Sequence, residues 1–299
     1  MLILMLISCN IVVAQKQFKA LNQYESDLKL LYDSLFASDG TKFYQPDSIK
    51  NQINSEIIDI FNLALQEPKV FDYSFSKLDH IGEIKSKNKL LKVITWNIQY
   101  SDGTYKYFGY LLYQQKKKKP LIVYKLEDKS ELIKNPANAV LSDTNWYGAL
   151  YYKIVDVKHN GKTYYTLLGW DGFDYFSTKK VVDILYFTRK GIPVFGKEMF
   201  KFDKTISTRL IFQYSEKSVM SLSYDENLKM IIYDYLVPPG PAYKGKFQFY
   251  GPDGSYDGLN FNGGKWVHYS DIDIKLLKNM QYRSGKPKKG AYQPKRIYP

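Results

Sequence analysis

Cysteine is nearly absent from this chain. The 299 residues include one cysteine, Cys9, which lies among the first fourteen residues. If that segment is removed, the mature protein has no disulfide, no thiolate zinc site and no cysteine nucleophile. Such a protein must be stabilised by burial, and 44% of its residues are hydrophobic, with 28 tyrosines and 17 phenylalanines. These aromatic residues suit pleated, half-buried surfaces, so the composition favours a β-rich fold.

Familiar catalytic and nucleotide-binding motifs are missing too. The three histidines, His80, His159 and His268, lack the spacing of a metal-binding helix. The sequence contains no Gly-x-Ser-x-Gly elbow, no Walker loop and no Gly-x-Gly-x-x-Gly run. It also lacks a helix-turn-helix, a zinc finger or an aromatic RNA-binding motif. We therefore predict no cofactor and no nucleic-acid partner, and we favour a protein that is not an enzyme.

Acidic residues are absent from the C-terminal tail, residues 281–299, which carries six basic residues. Together with the run Lys116, Lys117, Lys118 and Lys119, these six account for ten of the net +13 charge, so the rest of the chain is nearly balanced. We predict a flexible basic tail and a lysine-rich hairpin tip. The functional hypothesis is attraction of these four lysines, with Lys288 and Lys289 of the tail, to envelope polysaccharide or an anionic membrane surface.

Charge is also absent from residues 1–14, which are mostly aliphatic and end in Val12-Val13-Ala14 before Gln15. This pattern is typical of a secretory leader cut after Ala14, and the apolar run is too short for a mature membrane anchor. We therefore predict an exported protein. Acylation of Cys9, as in a bacterial lipoprotein, is the alternative.

Two periodicities divide the remaining chain. Apolar residues recur at three- and four-residue steps over residues 16–37 and again up to Pro68, which predicts two helices, the second capped by Asp47 or Ser48. From residue 82 the period becomes two and turn signals recur every eight to twelve residues, which predicts consecutive antiparallel strands. We expect an α+β fold that is mainly antiparallel β: a helical segment (15–70) forms a hairpin or packs on a β-rich domain (82–280). A sandwich, an open barrel and an irregular propeller-like array all fit this domain.

Turn chemistry predicts which strands pair. Ser101-Asp102-Gly103 is expected to join the strands at 90–100 and 104–114. Residues 160–161 and 262–264 mark two further hairpins. We also predict that residues 209–214 pair with 219–224 across the polar segment 215–218.

Two acidic segments are candidate sites. The first contains Trp170, Asp171, Asp174 and Tyr175. Aromatic rings beside carboxylates can bind a sugar, and two carboxylates can form the acid pair of a glycosidase. The simpler interpretation, which we favour, is a β-turn with Trp170 packed inward.

The second acidic segment runs from residue 253 to 258 and places Asp253, Ser255 and Asp257 at alternate positions before a glycine. Alternating oxygen ligands are typical of the first half of a calcium loop. However, the position of the expected bidentate glutamate is Gly264. A hairpin turn is therefore the favoured interpretation, with calcium as the alternative.

Three segments carry a resemblance: NWYGALYY (145–152), LLGWDG (167–172) and YGPDGSYDG (250–258). They resemble segments of exported proteins of Bacteroidota that have no known activity, and the Ala14-Gln15 junction is similar to the leaders of that group. The likeness covers about residues 146–273. It implies export to the periplasm or cell surface of a diderm bacterium and brings no activity with it.

These observations predict an exported, envelope-associated protein with a binding or structural role. The alternatives are a polysaccharide-acting hydrolase, with Asp171 and Asp174 or Asp253 and Asp257 as its acids, and a carbohydrate-binding module. The oligomeric state is left open.

Overall fold

A computed structural model of the chain describes residues 2–37, 45–117, 119–277 and 279, with side chains from residue 19 onward. Helices α1 (Leu2–Leu35) and α2 (Asp47–Ala64) come first. The strands follow in chain order: β1 (Gly82–Lys85), β2 (Leu91–Gln99), β3 (Tyr105–Tyr113), β4 (Ile122–Glu127), β5 (Leu150–His159), β6 (Lys162–Asp171), β7 (Ser177–Phe187), β8 (Pro193–Phe195), β9 (Phe200–Phe202), β10 (Thr205–Ser207), β11 (Arg209–Ser215), β12 (Leu222–Asp225), β13 (Met230–Val237), β14 (Gly251–Asn262) and β15 (Lys265–Tyr269).

The strands form three sheets. The first has the order β1-β2-β3-β4, the second β11-β7-β6-β5 with β8 beside β7, and the third β10-β9-β15-β14-β13-β12. Neighbouring strands are antiparallel except β15 and β9, which are parallel. Within the described residues none of these sheets closes into a barrel. The predicted α+β class, mainly antiparallel with an N-terminal pair of helices, is confirmed.

The elements stack in layers: helices, first sheet, second sheet, third sheet. One core cluster joins both helices to the first sheet through Phe61, Trp96 and Tyr110. A second cluster lies between the first and second sheets, and a third lies between the second and third sheets. Since the first and second sheets are covered on both faces, β2, β6 and β7 are buried along most of their lengths.

A strand buried on both faces must satisfy its polar side chains internally. Lys92 of β2 is fully buried, and its Nζ lies 2.6 Å from a Glu83 carboxylate oxygen and donates to the carbonyl of Tyr73 at 2.6 Å. Burial lowers the pKa of Lys92, and the Glu83 carboxylate opposes that shift. The pairing stabilises a charge that would otherwise be excluded from this layer.

Local turn signals identified the hairpins well. The β2–β3 turn is closed by a hydrogen bond from the Tyr100 amide to the Thr104 carbonyl at 2.8 Å. Asn160 and Gly161 both have positive φ between β5 and β6, as a type I′ turn requires. Gly263 and Gly264 likewise both have positive φ in the turn between β14 and β15.

The predicted pairing of residues 209–214 with 219–224 is wrong. Strand β11 pairs with β7 in the second sheet, and β12 pairs with β13 in the third. The polar segment between β11 and β12 is thus a crossing from one sheet to the next. A short polar connection is common to hairpins and crossings, so local sequence does not distinguish them.

Helix α1 begins at Leu2, so it includes the segment predicted as a leader, and cleavage after Ala14 stays a prediction. None of the helices in the described residues is both long and apolar enough to cross a membrane.

Candidate functional site

An open cleft of about 370 Å³ lies at one end of the second sheet. The β2–β3 hairpin of the first sheet and the connection between β11 and β12 complete its walls. Its aromatic lining consists of Tyr105, Trp170, Tyr175 and Tyr214. Its polar lining consists of Gln99, Asp174, Thr178, Lys180, Glu216 and Ser218. Gly172, Val219 and Met220 complete it.

Strand register places much of this lining on one face. Trp170 lies directly opposite Lys180 on the neighbouring strand, and Thr178 lies opposite Tyr214 on the next. Since alternate residues of a strand share a face, these four side chains project to the same side of the second sheet. Partial burial lowers the pKa of Lys180, whose Nζ lies 5.0 Å from the Tyr152 ring centroid.

Two glycine–tyrosine contacts join the walls of the cleft. A Cβ built on Gly103 would lie 2.5–2.6 Å from three atoms of the Tyr175 ring, so this glycine lies flat against the ring. On the other wall, a Cβ on Gly172 would lie 2.4–2.7 Å from three atoms of the Tyr105 ring. The Tyr105 ring also meets the Trp170 ring edge to face, with centroids 5.4 Å apart. Each tyrosine thus packs on a glycine of the opposite loop.

Helix α2 anchors the hairpin that supports Tyr175. The Asp47 carboxylate accepts hydrogen bonds from the Ser101 amide at 3.0 Å and the Ser101 hydroxyl at 2.6 Å. The Tyr175 hydroxyl in turn donates to the Ser101 carbonyl. The predicted N-cap is therefore wrong: Pro46 occupies that position, and Asp47 bonds the hairpin instead of capping its own helix.

We expect Gly103→Ala to destabilise the protein more than Gly161→Ala. Both glycines have positive φ, +84° and +72°, so both alanine variants incur backbone strain of about 1–2 kcal/mol. Only Gly103 also packs against a ring, whereas nothing lies within 4 Å of a Cβ on Gly161. Denaturant unfolding of both variants measures the difference. Equal losses of unfolding free energy would show that the Tyr175 contact adds nothing.

Asp171 does not face the cleft. Its neighbour Trp170 does, and adjacent strand residues point to opposite faces. The Asp171 carboxylate is 5% exposed and accepts hydrogen bonds from the Tyr107 and Tyr147 hydroxyls, both at 3.2 Å. Lys179 Nζ lies 3.7 Å away. Burial raises the pKa of Asp171, and Lys179 opposes that shift. The residue therefore belongs to a polar cluster inside the protein.

Asp174 lines the cleft and also shapes its loop. Its Oδ1 accepts hydrogen bonds from the Phe176 amide at 2.8 Å and the Ser177 amide at 2.7 Å. This Asx-type arrangement fixes the entry into β7. Trp170, which was predicted to pack inward, lies instead in the cleft wall. Trp170 is half-buried, and 55% of Tyr175 is exposed. The structure thus brings Trp170, Asp174 and Tyr175 together and separates Asp171 from them.

The candidate calcium segment is a strand, so the predicted hairpin turn there is wrong. Asp253, Ser255 and Asp257 lie in β14, where its pairing with β13 is irregular and Gly254 has positive φ. Asp253 accepts from the Ser255 amide and hydroxyl, while Asp257 is buried and lies 2.8 Å from His268 Nε2. The two carboxylates bond different partners: Asp253 bonds Ser255, and Asp257 bonds His268 and the Asp271 amide. Within the described residues no group of three His, Cys, Asp or Glu side chains is placed to bind a metal.

The described lysines of the run lie in the β3–β4 connection, as predicted. Lys116, Lys117 and Lys119 are in the described part of the chain. Lys118 and the tail lysines Lys288 and Lys289 lie outside it.

Other segments contribute cleft residues that were not predicted from sequence patterns. Tyr105, Lys180, Tyr214 and Glu216 come from three separate segments. One signal was available for Tyr105, which directly follows the predicted hairpin turn. Lys180 lies across from Trp170 because of the register between β6 and β7, and local sequence does not determine that register.

Comparison of the chain with protein families, curated proteins and solved structures found no match. The functional proposal therefore depends on the geometry of the cleft.

Proposed function

We propose that this protein is an exported, non-enzymatic binding protein whose cleft holds a carbohydrate. One observation carries the proposal: four aromatic side chains line the same open cleft as amide, hydroxyl, ammonium and carboxylate groups. A sugar ring has an apolar C–H face and a rim of hydroxyls. Aromatic rings can pack on that face while the polar groups bond the hydroxyls.

The cleft suits this role in size and rigidity. Its volume falls within the range of about 300–1,000 Å³ that is typical of small-molecule sites. Tyr175 has one ring face packed on Gly103 while more than half of its side chain stays exposed. A ring fixed in this way loses little conformational freedom when a sugar stacks on it.

The acid pairs considered for a hydrolase do not support cleavage. Asp171 is inside the protein, and neither Asp253 nor Asp257 lines the cleft. A glycosidase needs its two carboxyl groups on either side of one bond. Two carboxylates do line the cleft, Asp174 and Glu216, but Asp174 Oδ1 accepts hydrogen bonds from the Phe176 and Ser177 amides, which fixes that carboxylate in its loop. We therefore propose binding without cleavage.

A glycan array with the full chain, followed by titration calorimetry with the strongest-binding oligosaccharide, tests this proposal. Tyr175→Ala and Trp170→Ala are each expected to lower the affinity roughly tenfold, since each removes a stacking surface. Trp170→Phe should retain part of the affinity. Tyr256→Ala, which removes an exposed tyrosine outside the cleft, should leave it unchanged. Full affinity in both cleft variants, or release of shorter saccharides during incubation, would contradict the proposal.

A further inference from the structure

A second surface lies on the connection between β13 and β14. Residues 241–249 are all exposed, a run of nine that includes three aromatic side chains. Tyr243, Phe247 and Phe249 expose 39%, 46% and 45% of their surfaces. Large aromatic groups in a folded protein are ordinarily buried, so this concentration at one loop calls for a partner.

The loop has defined structure. Two short 3-10 turns, Pro241–Tyr243 and Phe247–Phe249, hold its backbone. The Gly245 amide donates to the Tyr250 hydroxyl at 3.0 Å, and the Ser215 amide donates to the Tyr250 carbonyl at 2.9 Å. These bonds hold the aromatic groups in place on the surface.

Two more exposed apolar side chains lie beside the loop. Phe176 is 71% exposed, and its carbonyl accepts from the Glu216 amide, next in sequence to Ser215. Val219 is 87% exposed and follows Ser218, which packs against Gly251 at the end of the loop. The apolar surface therefore extends from the loop across the β11–β12 connection.

The charge of the loop selects the kind of partner. Lys244 and Lys246 are both exposed, and no acidic residue occurs from residue 235 to 252. Protein–protein interfaces are depleted in lysine, whereas lysine beside phenylalanine and tyrosine is typical of surfaces that dock on anionic bilayers. Each lysine adds attraction to anionic headgroups, and the rings enter the interfacial region.

We infer that the loop of residues 238–250 docks this protein on an anionic lipid bilayer. The site lies on a different connection from the lysine run of the β3–β4 tip. Val219 belongs to both surfaces, but the loop side chains Phe247 and Phe249 do not line the carbohydrate cleft, so their variants test this inference separately.

Sedimentation of the full chain with phosphatidylglycerol-containing vesicles tests this inference, with pure phosphatidylcholine vesicles as the neutral comparison. Phe247→Ser with Phe249→Ser is expected to lower partitioning into the vesicles at least about tenfold, because the double variant loses two rings that would enter the bilayer. Lys244→Gln with Lys246→Gln should lower it on phosphatidylglycerol vesicles only. In Phe249→Trp, the added tryptophan should shift its emission to the blue when vesicles are added.

Matched controls locate the effect. Leu132→Ser with Val140→Ser removes two side chains that are 76% and 62% exposed on another connection, and partitioning should not change. Lys116→Gln with Lys117→Gln should lower partitioning less than the loop lysine pair. The inference fails if the wild type does not bind the vesicles. It also fails if the Phe247→Ser, Phe249→Ser variant binds the vesicles as well as the wild type does, whether or not that variant has lost glycan binding.

Discussion

Raising the pH above 10 is expected to unfold this protein within a narrow interval. Burial raises the pKa of all eight tyrosines of the described residues that are at most 3% exposed. The shift is largest for five of them: Tyr32, Tyr107, Tyr147, Tyr151 and Tyr233. An unfolded tyrosine ionises near pH 10, while the folded state keeps the proton. The folded state then binds more protons, so its stability is intact below pH 10 and falls as the pH rises. These five alone make the unfolding free energy fall by roughly 7 kcal/mol per pH unit, enough to exhaust a typical folding free energy.

Ultraviolet absorbance of tyrosinate, recorded with circular dichroism across the alkaline range, measures this transition. The buried tyrosines should ionise together with the loss of structure. The hydroxyls of Tyr32 and Tyr233 have no hydrogen-bond partner among the described residues, so Tyr32→Phe with Tyr233→Phe should fold well at neutral pH. That pair should lower the slope of the unfolding free energy against pH by roughly 3 kcal/mol per pH unit. Smooth ionisation without unfolding would contradict the burial described here.

Arg209→Met is expected to destabilise the protein by about 3–5 kcal/mol, because it leaves Asp183 buried without a counter-charge. Arg209 Nε donates to the Asp183 carboxylate at 2.7 Å, and both side chains are fully buried across β11 and β7. Arg209 also donates to the Pro136 carbonyl. Burial raises the pKa of Asp183, and Arg209 opposes that shift. Loss of the arginine raises the pKa of Asp183 further. The difference in unfolding free energy between the wild type and Arg209→Met should therefore shrink as the pH falls and Asp183 takes up a proton.

Denaturant unfolding with a matched exposed pair measures the effect. Lys153→Met breaks a 2.9 Å pair with Glu226 at the surface and should change the unfolding free energy by less than about 1 kcal/mol. Replacing both buried partners, as in Arg209→Met with Asp183→Leu, should recover most of the loss. An Arg209→Met variant as stable as wild type would show that the buried pair contributes no stability.

Sequence patterns predicted what depends on neighbouring residues. The helices, the change of period near residue 82 and the hairpin at Ser101-Asp102-Gly103 all follow from local propensity and turn chemistry. The assignment of β11 and β12 to different sheets depends on packing between distant elements, so their predicted pairing was wrong. Lys92 and Arg209 likewise gave no sign of burial, because a charged residue in a strand ordinarily marks a solvent face.

The candidate site divides in the same way. Trp170 at the end of β6 and Asp174 and Tyr175 of the following loop are close in sequence, and they share one cleft. Asp171 was separated from them by strand alternation, a rule that applies once β6 is known to extend through residue 171. The prediction of a hairpin turn at Asp253 was wrong because a Gly-rich acidic segment can also continue a strand. In this protein the segment coincides with an irregularity in the β13–β14 register.

Quenching of tryptophan fluorescence by acrylamide, with and without bound oligosaccharide, tests the carbohydrate cleft most directly. Trp96, Trp146 and Trp266 are at most 1% exposed, so Trp170, at the cleft wall, supplies the accessible emission. A saccharide stacked in the cleft should remove most of that accessible fraction, and Trp170→Phe should remove it without ligand. Saturating saccharide that leaves the quenching of Trp170 unchanged would place the binding elsewhere and contradict the proposed function.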